Sequence, residues 1–290
     1  DTVFAERMPE AELFFEYMDT KRHLPEEIFP YMAKLLAQKY AGKHIDIIIT
    51  SDDNALTFLM VYRKTLFPDV PIVFCGINKL ERYNLSQSND ITGVVEDFDL
   101  KSTIDVALRL QPDTRHIVSI SDRTPSSRDN LFRLRQLIPL YKDKVDFTIL
   151  DDLTVDELTT ALEGLPPHTI ILHLNFFRDR EGRTFDYKES IALVAENTKK
   201  PMYVAWDWYL GSGVVGGMMI SGVRQGETAA RIAIQVLEGE GIANIPIVLR
   251  SPNVFMFDYI ELQKQSITIQ SLPSGSIIIN KPESFYWKYK

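Results

Sequence analysis

Polar residues able to bind a ligand stand at the ends of short apolar runs in this sequence. Ser51, Asp52 and Asp53 follow the run 45–50, Asn78 follows 71–75, and Glu96 closes 91–96. Further along, Arg123, Ser126 and Ser127 follow 116–120, Asn175 closes 169–174, and Trp206 and Asp207 follow 201–205. The carboxylates of Asp52 and Asp53 suit a ligand amine or hydroxyl; alternatively they cap a helix, whose first N–H groups favour a carboxylate. Asn78 is either a ligand contact or a turn residue, and Glu96 either meets ligand or keeps a junction solvated. Ser126 and Ser127 open a helix whose free N–H groups and positive dipole end receive a carboxylate or phosphate, unless they serve only as caps. Arg123 either supplements that anion site or is surface charge. Trp206, Asp207 and Trp208 offer a flat wall for an apolar or cationic group with a carboxylate for an amine, or else pack a hinge.

Other motifs carry less. Arg178, Arg180 and Arg183 read as a solvated loop beside Asn175. Gly211, Gly213 and Gly216 match the dinucleotide fingerprint in form only, because an apolar β-like run follows where a helix should open. His23, His44, His116, His168 and His173 show no metal-ligand spacing, and no Ser-His-Asp set or phosphate loop is present. No metal site and no cofactor is expected. Cys75 lies in an apolar run and reads as a small buried hydrophobe. As the single cysteine it excludes an internal disulfide and a cysteine-based zinc site. The sequon at Asn84 is read as chance.

The composition is that of a globular chain: 45% hydrophobic and 25% charged over 290 residues, long enough for two lobes. A net charge of −8 argues against a nucleic-acid footprint and against an anionic membrane surface. No apolar run of about 18 residues is present to span a membrane.

These side chains need a strand-and-helix frame to hold them. Residues 45–50 read as a doubly covered strand, 55–67 as a buried helix ended by Pro68, and 71–75 as a second strand. Parallel strands joined by a right-handed helix form a βαβ unit, and ligands of open α/β sheets sit at strand carboxyl ends. Residues 1–9 read as the tail of a helix and 11–18 as a strand, which suggests that one strand and most of one helix lie upstream. Helices are expected at 26–40, 100–110, 126–137, 154–162, from the 176–187 loop to Asn197, and at 226–237. The helix after Thr154 carries a capping box with Glu157. Strands are expected at 91–96, 116–120, 145–150, 169–174, 201–205, 218–221, 245–249 and 254–257, with a turn at 272–275. Two βα series broken near Asp113 argue for two α/β lobes.

Residues 16–22, the loop 52–56, Phe67 and Pro68 with 71–74, 76–78 and 92–94 resemble the ABC-transporter substrate-binding-protein-like family. The resemblance spans nearly the whole chain, and the end at 272–285 is more similar to a branch serving as sensor domains of membrane histidine kinases. It implies the type I periplasmic binding architecture: two Rossmann-like lobes of parallel sheet flanked by helices, with a small ligand in the cleft between them. The expected division is 1–113 with about 217–243 for the first lobe, and 114–216 with about 244–290 for the second. The apparent missing first strand departs from the family pattern. The first functional expectation is an extracytoplasmic, non-enzymatic sensor domain that signals by lobe closure. The second is a free substrate-binding protein of an ABC transporter, and the third a two-lobe enzyme, for which the sequence offers no catalytic constellation. The expected partner is an amino acid or organic acid. Expected also are a membrane tether through flanking segments, with an aromatic and basic run at 285–290 leading into the membrane, and a dimer in the full-length protein.

Overall fold

The computed structural model describes residues 2–20, 23–78, 80–85 and 88–282. In chain order the helices are α1 (Thr2–Arg7), α2 (Pro25–Lys39), α3 (Asp53–Leu66), α4 (Leu100–Leu110), α5 (Pro125–Leu137), α6 (Val155–Glu163), α7 (Tyr187–Asn197), α8 (Gly222–Leu237) and α9 (Tyr259–Lys264). The strands are β1 (Ile48–Ser51), β2 (Ile72–Ile77), β3 (Ile91–Val95), β4 (His116–Ile120), β5 (Asp146–Leu150), β6 (Thr169–His173), β7 (Met202–Tyr203), β8 (Gly216–Met219), β9 (Val254–Asp258) and β10 (Ile277–Ile279). They form two compact units, Asp1–Asp97 with Gly222–Pro252, and Phe98–Ser221 with Asn253–Lys290.

Unit 1 holds a parallel sheet of order β1-β2-β3. All six residues of β2 are buried, as a strand covered on both faces requires. Helix α8 packs on β2 and β3, and α2 packs on α3. One buried side chain of α8, Gln225, ties the helix to the strand ends. Its Oε1 accepts from the Gly76 N–H at 3.3 Å, and its Nε2 donates to the Val95 carbonyl at 3.0 Å and to Ser251 Oγ at 2.9 Å. Gly93 allows β3 to pass close to β2: a Cβ there would lie 2.2 Å from the Phe74 carbonyl oxygen.

Two expected strands are not formed here. Residues 11–18 take no part in a ladder, and residues 245–249 contribute only an isolated bridge between Val94 and Val248. Both stretches have β-like composition, but a strand exists only where another offers its N–H and C=O groups. Among the described residues β1 is hydrogen-bonded to β2 alone.

Unit 2 holds the sheet β10-β9-β8-β7-β6-β4-β5, parallel except for the β8–β9 pair. Alternate residues of its central strands enter different cores: Ile117, Ile170 and Leu172 enter one, and Ile120 and Ile171 the other. That alternation places helices on both faces. The strand order reverses between β4 and β6, so a crevice opens at their carboxyl ends. Where the sequence pattern breaks at Asp113, the structure divides the chain at Asp97 and Phe98, because the apolar face of α4 packs on β8. The capping box at Thr154 is formed, and Asp186 with Glu189 forms a second one at α7. The sequence reading passed over α9 and β10, which are too short for periodicity to reveal.

Candidate functional site

At the strand ends of unit 1, β1 delivers Ser51, Asp52 and Asp53, and β2 delivers Asn78. Asp52 precedes α3 as its N-cap residue, yet its side chain makes no capping bond. Its φ of 75° and ψ of 153° fall in a region that is essentially reserved for glycine. The Asp52 carboxylate has no hydrogen-bond or ion-pair partner among the described residues. Asp53 behaves differently: its carboxylate accepts from the Asn78 N–H at 3.4 Å and from the Tyr83 hydroxyl at 3.2 Å. Glu96 is half-buried, and its N–H donates to the Ile77 carbonyl at 2.9 Å. Burial pushes the Cys75 thiol up; Ser51 hydrogen-bonds it in the opposing sense, and the Asp52 and Glu96 carboxylates add to the rise. Ser51, Asp52 and Glu96 therefore gather around the end of β2.

In unit 2 the organising group is one the sequence reading did not single out, Asp122, just past β4 and 1% exposed. One carboxylate oxygen accepts from the Thr124 N–H at 2.7 Å, from the Thr124 hydroxyl at 2.6 Å and from the Ser127 hydroxyl. The other accepts from the N–H groups of Phe177 at 2.5 Å and Arg178 at 3.2 Å. A buried carboxylate is tolerated only with such satisfaction. It holds the loop after β4 against the loop after β6. The Ser127 side chain is thus buried and engaged by Asp122, whereas Ser126 is exposed at the start of α5.

Arg123 pairs with Asp152 at 3.2 Å, and Arg180 pairs with Glu157 at 2.5 Å. A pocket of about 260 Å³ lies between these loops, lined by Arg123, Thr124, Arg128, Asp152, Arg178, Asp179 and Arg180. Two of the three arginines expected in a solvated loop thus line a pocket, while Arg183 covers the Phe185 ring at 5.1 Å.

Asn175 is 4% exposed, and its side-chain oxygen has no hydrogen-bond partner among the described residues. Two residues earlier, His173 is fully buried at the end of β6, with Nε2 3.3 Å from Ser190 Oγ and its ring edge-on to Tyr209. Burial depresses the imidazole to about 3, against a small opposing pull from Asp122. Trp206 is a core residue, 8% exposed and 5.2 Å from Phe98, while Trp208 is 44% exposed. Trp208 is therefore the ring of this cluster that faces solvent. Asp207 is half-buried, its N–H bonded to the Ile220 carbonyl at 3.2 Å.

The structure thus brings Arg123, Ser126 and Ser127 together at β4 and α5, Asn175 at the end of β6, and Trp206 and Asp207 after β7. The sequence analysis gave Asp122 and Arg128 no site role, read Arg178 as solvated, and counted Trp208 in the aromatic wall. The signal available for Asp122 was its place two residues past the apolar run 116–120, matching that of Asp52 after the run 45–50. Among the described residues no cluster of histidine, cysteine, aspartate or glutamate suits a metal ion. No described helix is long and apolar enough to cross a membrane. The expected membrane-interface run at 285–290, and Lys21, Arg22 and Ser86 of the quoted motifs, lie outside the described residues.

The family described as ABC transporter substrate binding protein matches residues 30–273. Among solved structures, a ligand-free, open substrate binding protein with adhesive properties from Clostridium difficile aligns with a TM-score of 0.65 at 13% identity, covering 88% of this chain and 84% of the other. An ABC domain in complex with L-Trp from Streptococcus pneumonia aligns with a TM-score of 0.55 at 16% identity, covering 86% of each chain. A conserved domain protein from Vibrio cholerae aligns with a TM-score of 0.53 at 15% identity, over 86% of this chain and 83% of the other. At these identities the likeness concerns the fold. No curated protein sequence matches.

Proposed function

This chain belongs to the ABC transporter substrate binding protein family, and on that premise we propose that it captures a small amino acid or organic acid outside the cytoplasm for an ABC transporter. The observation that carries the reading is the family match over residues 30–273. The family is one of extracytoplasmic binding proteins, and the reading assigns this chain no catalytic step.

On this reading the exposed Ser126, the N–H groups at the start of α5 and Arg123 receive the ligand carboxylate. Ser127 acts by holding that turn through Asp122. Trp208, Trp206 and Asp207 receive the apolar or amine part, and the buried Asn175 oxygen offers an acceptor whose lack of a partner a ligand donor would relieve. From unit 1, Ser51, Asp52, Asp53, Asn78 and Glu96 are the corresponding candidates. The description of a protein of this fold in complex with L-Trp supports the choice of ligand class.

A sensor domain attached to a histidine kinase was the first expectation from the sequence. It now stands second, because the family match speaks of transport and the segment that favoured a membrane connection lies outside the described residues. Thermal-shift and tryptophan-fluorescence titrations with a panel of amino and organic acids test the proposal. A saturable response to such acids, reduced in Asp207→Asn, supports it. A response to neutral sugars alone overturns the ligand class.

A further inference from the structure

We propose that the arginine-lined pocket of unit 2 is a binding site for a phosphoryl oxyanion, which shares Arg123 with the carboxylate position assigned above but is built on Arg128 and Arg178, which that position does not use. Four arginines against two aspartates leave its lining positive by two charges, in a chain whose net charge is −8. The charges are unequally engaged. Arg123 and Arg180 have carboxylate partners in Asp152 and Glu157. The guanidinium groups of Arg128 and Arg178 have none among the described residues; Arg128 Nε donates only to the Arg123 carbonyl, at 3.0 Å.

The pocket is also built in advance. Asp122 clamps the Arg178 N–H and the Thr124 turn with a single buried carboxylate. Arg178 bridges to Thr184, and Asp179 accepts the Arg183 N–H at 2.8 Å, which closes the turn that carries Arg178 and Arg180. Both loops follow strands that flank the reversal of strand order in this sheet, where open α/β sheets bind ligands. A monocarboxylate is matched by one guanidinium fork. Two unpaired guanidiniums on one small pocket match a compact dianion with several acceptor oxygens, and arginine is the side chain that recognises phosphate in that way.

Because the pocket lies wholly within unit 2, and neither Arg128 nor Arg178 serves the proposed carboxylate position, this inference stands or falls apart from the transport reading. The test is isothermal titration at low ionic strength of inorganic phosphate, and separately of glycerol phosphate, into the whole chain and its Arg128→Gln and Arg178→Gln variants. Saturable binding that weakens about tenfold in each variant, with unchanged melting temperature, supports the site. Tighter binding of glycerol phosphate than of phosphate marks the group as part of a larger ligand; equal binding marks free phosphate. Absence of saturable binding of either, or binding indifferent to both substitutions, overturns the proposal. The tryptophan-fluorescence response to amino and organic acids remains in both variants if the transport reading holds, and its loss from the unsubstituted chain is a separate failure.

Discussion

At the carboxyl end of β1 the Asp52 carboxylate meets no partner among the described residues, and its backbone sits where glycine belongs. At the carboxyl end of β4 the Asp122 carboxylate takes five hydrogen bonds and is almost wholly buried. Both are aspartates just past a parallel strand and just before a helix. The difference lies in what the rest of each unit brings to them. In unit 2 a second loop, 55 residues on, turns its N–H groups toward the carboxylate. In unit 1 the neighbouring strand end offers its N–H to Asp53 instead, and leaves Asp52 strained and unengaged. A buried and satisfied carboxylate rigidifies a site, whereas an exposed and strained one leaves charge available to a ligand.

The comparison is broken most directly by removing the hydrogen-bonded carboxylate at each strand end, Asp122 in unit 2 and Asp53 in unit 1. Asp122→Ala leaves three backbone N–H groups without their acceptor, at roughly 1–3 kcal/mol each, so a loss on the order of 4 kcal/mol is expected in urea denaturation. Asp53→Ala, which loses two longer bonds near the surface, should cost about 1 kcal/mol or less. Equal losses would show that the two strand ends are not differently built.

The aromatic pair after β7 sharpens the contrast between structural and available groups within unit 2. Trp206→Ala should cost about 3 kcal/mol, by opening a cavity in the core. Trp208→Ala should cost about 1 kcal/mol or less and remove most of the fluorescence change on ligand addition. A fluorescence response retained in Trp208→Ala would remove that ring from the ligand wall.

Acid probes unit 2 through the buried His173. His173 in unit 2 is held neutral, with its folded value near 3 against 6.5 when free. The unfolded chain therefore takes up the proton first as pH falls. The stability this group contributes is fully present above pH 6.5 and drains away from there toward pH 3, with a slope approaching about 1.4 kcal/mol per pH unit. Denaturation midpoints followed from pH 7 to 5 should flatten in His173→Gln, and a slope unchanged by that substitution would contradict the assignment.

The smallest effect tests the strain at Asp52. Asp52→Gly should raise stability by about 1 kcal/mol, since glycine enters that backbone region freely. The same substitution should weaken any ligand that uses the carboxylate. A loss of stability would mean that the side chain has a partner that outweighs the strain.

Local features of this chain are written in its sequence. Leu100–Leu110 and His116–Ile120 have the bounds that their apolar spacing predicts, and Thr154 caps α6 with Glu157 as the four-residue pattern requires. Each of these is decided by contacts within a few residues, so a short window contains the whole cause. The binding candidates were legible as strand-end residues for the same reason, because the end of an apolar run is a local event. What each side chain does there was not legible. Ser127 was read as a ligand group or a cap, and its hydroxyl donates to Asp122. Arg178 and Arg180 were read as solvated and line a pocket. Residues 11–18 have the composition of a strand and no ladder to join. The composition of the chain decided that it would form parallel strands with helices between them and carry polar groups at the strand ends. The tertiary structure alone decided which of those groups would be buried and spent, and which left free. A hydrogen-bond acceptor is satisfied by whatever donor the fold brings to it, and Asp122 finds two of its five more than fifty residues away.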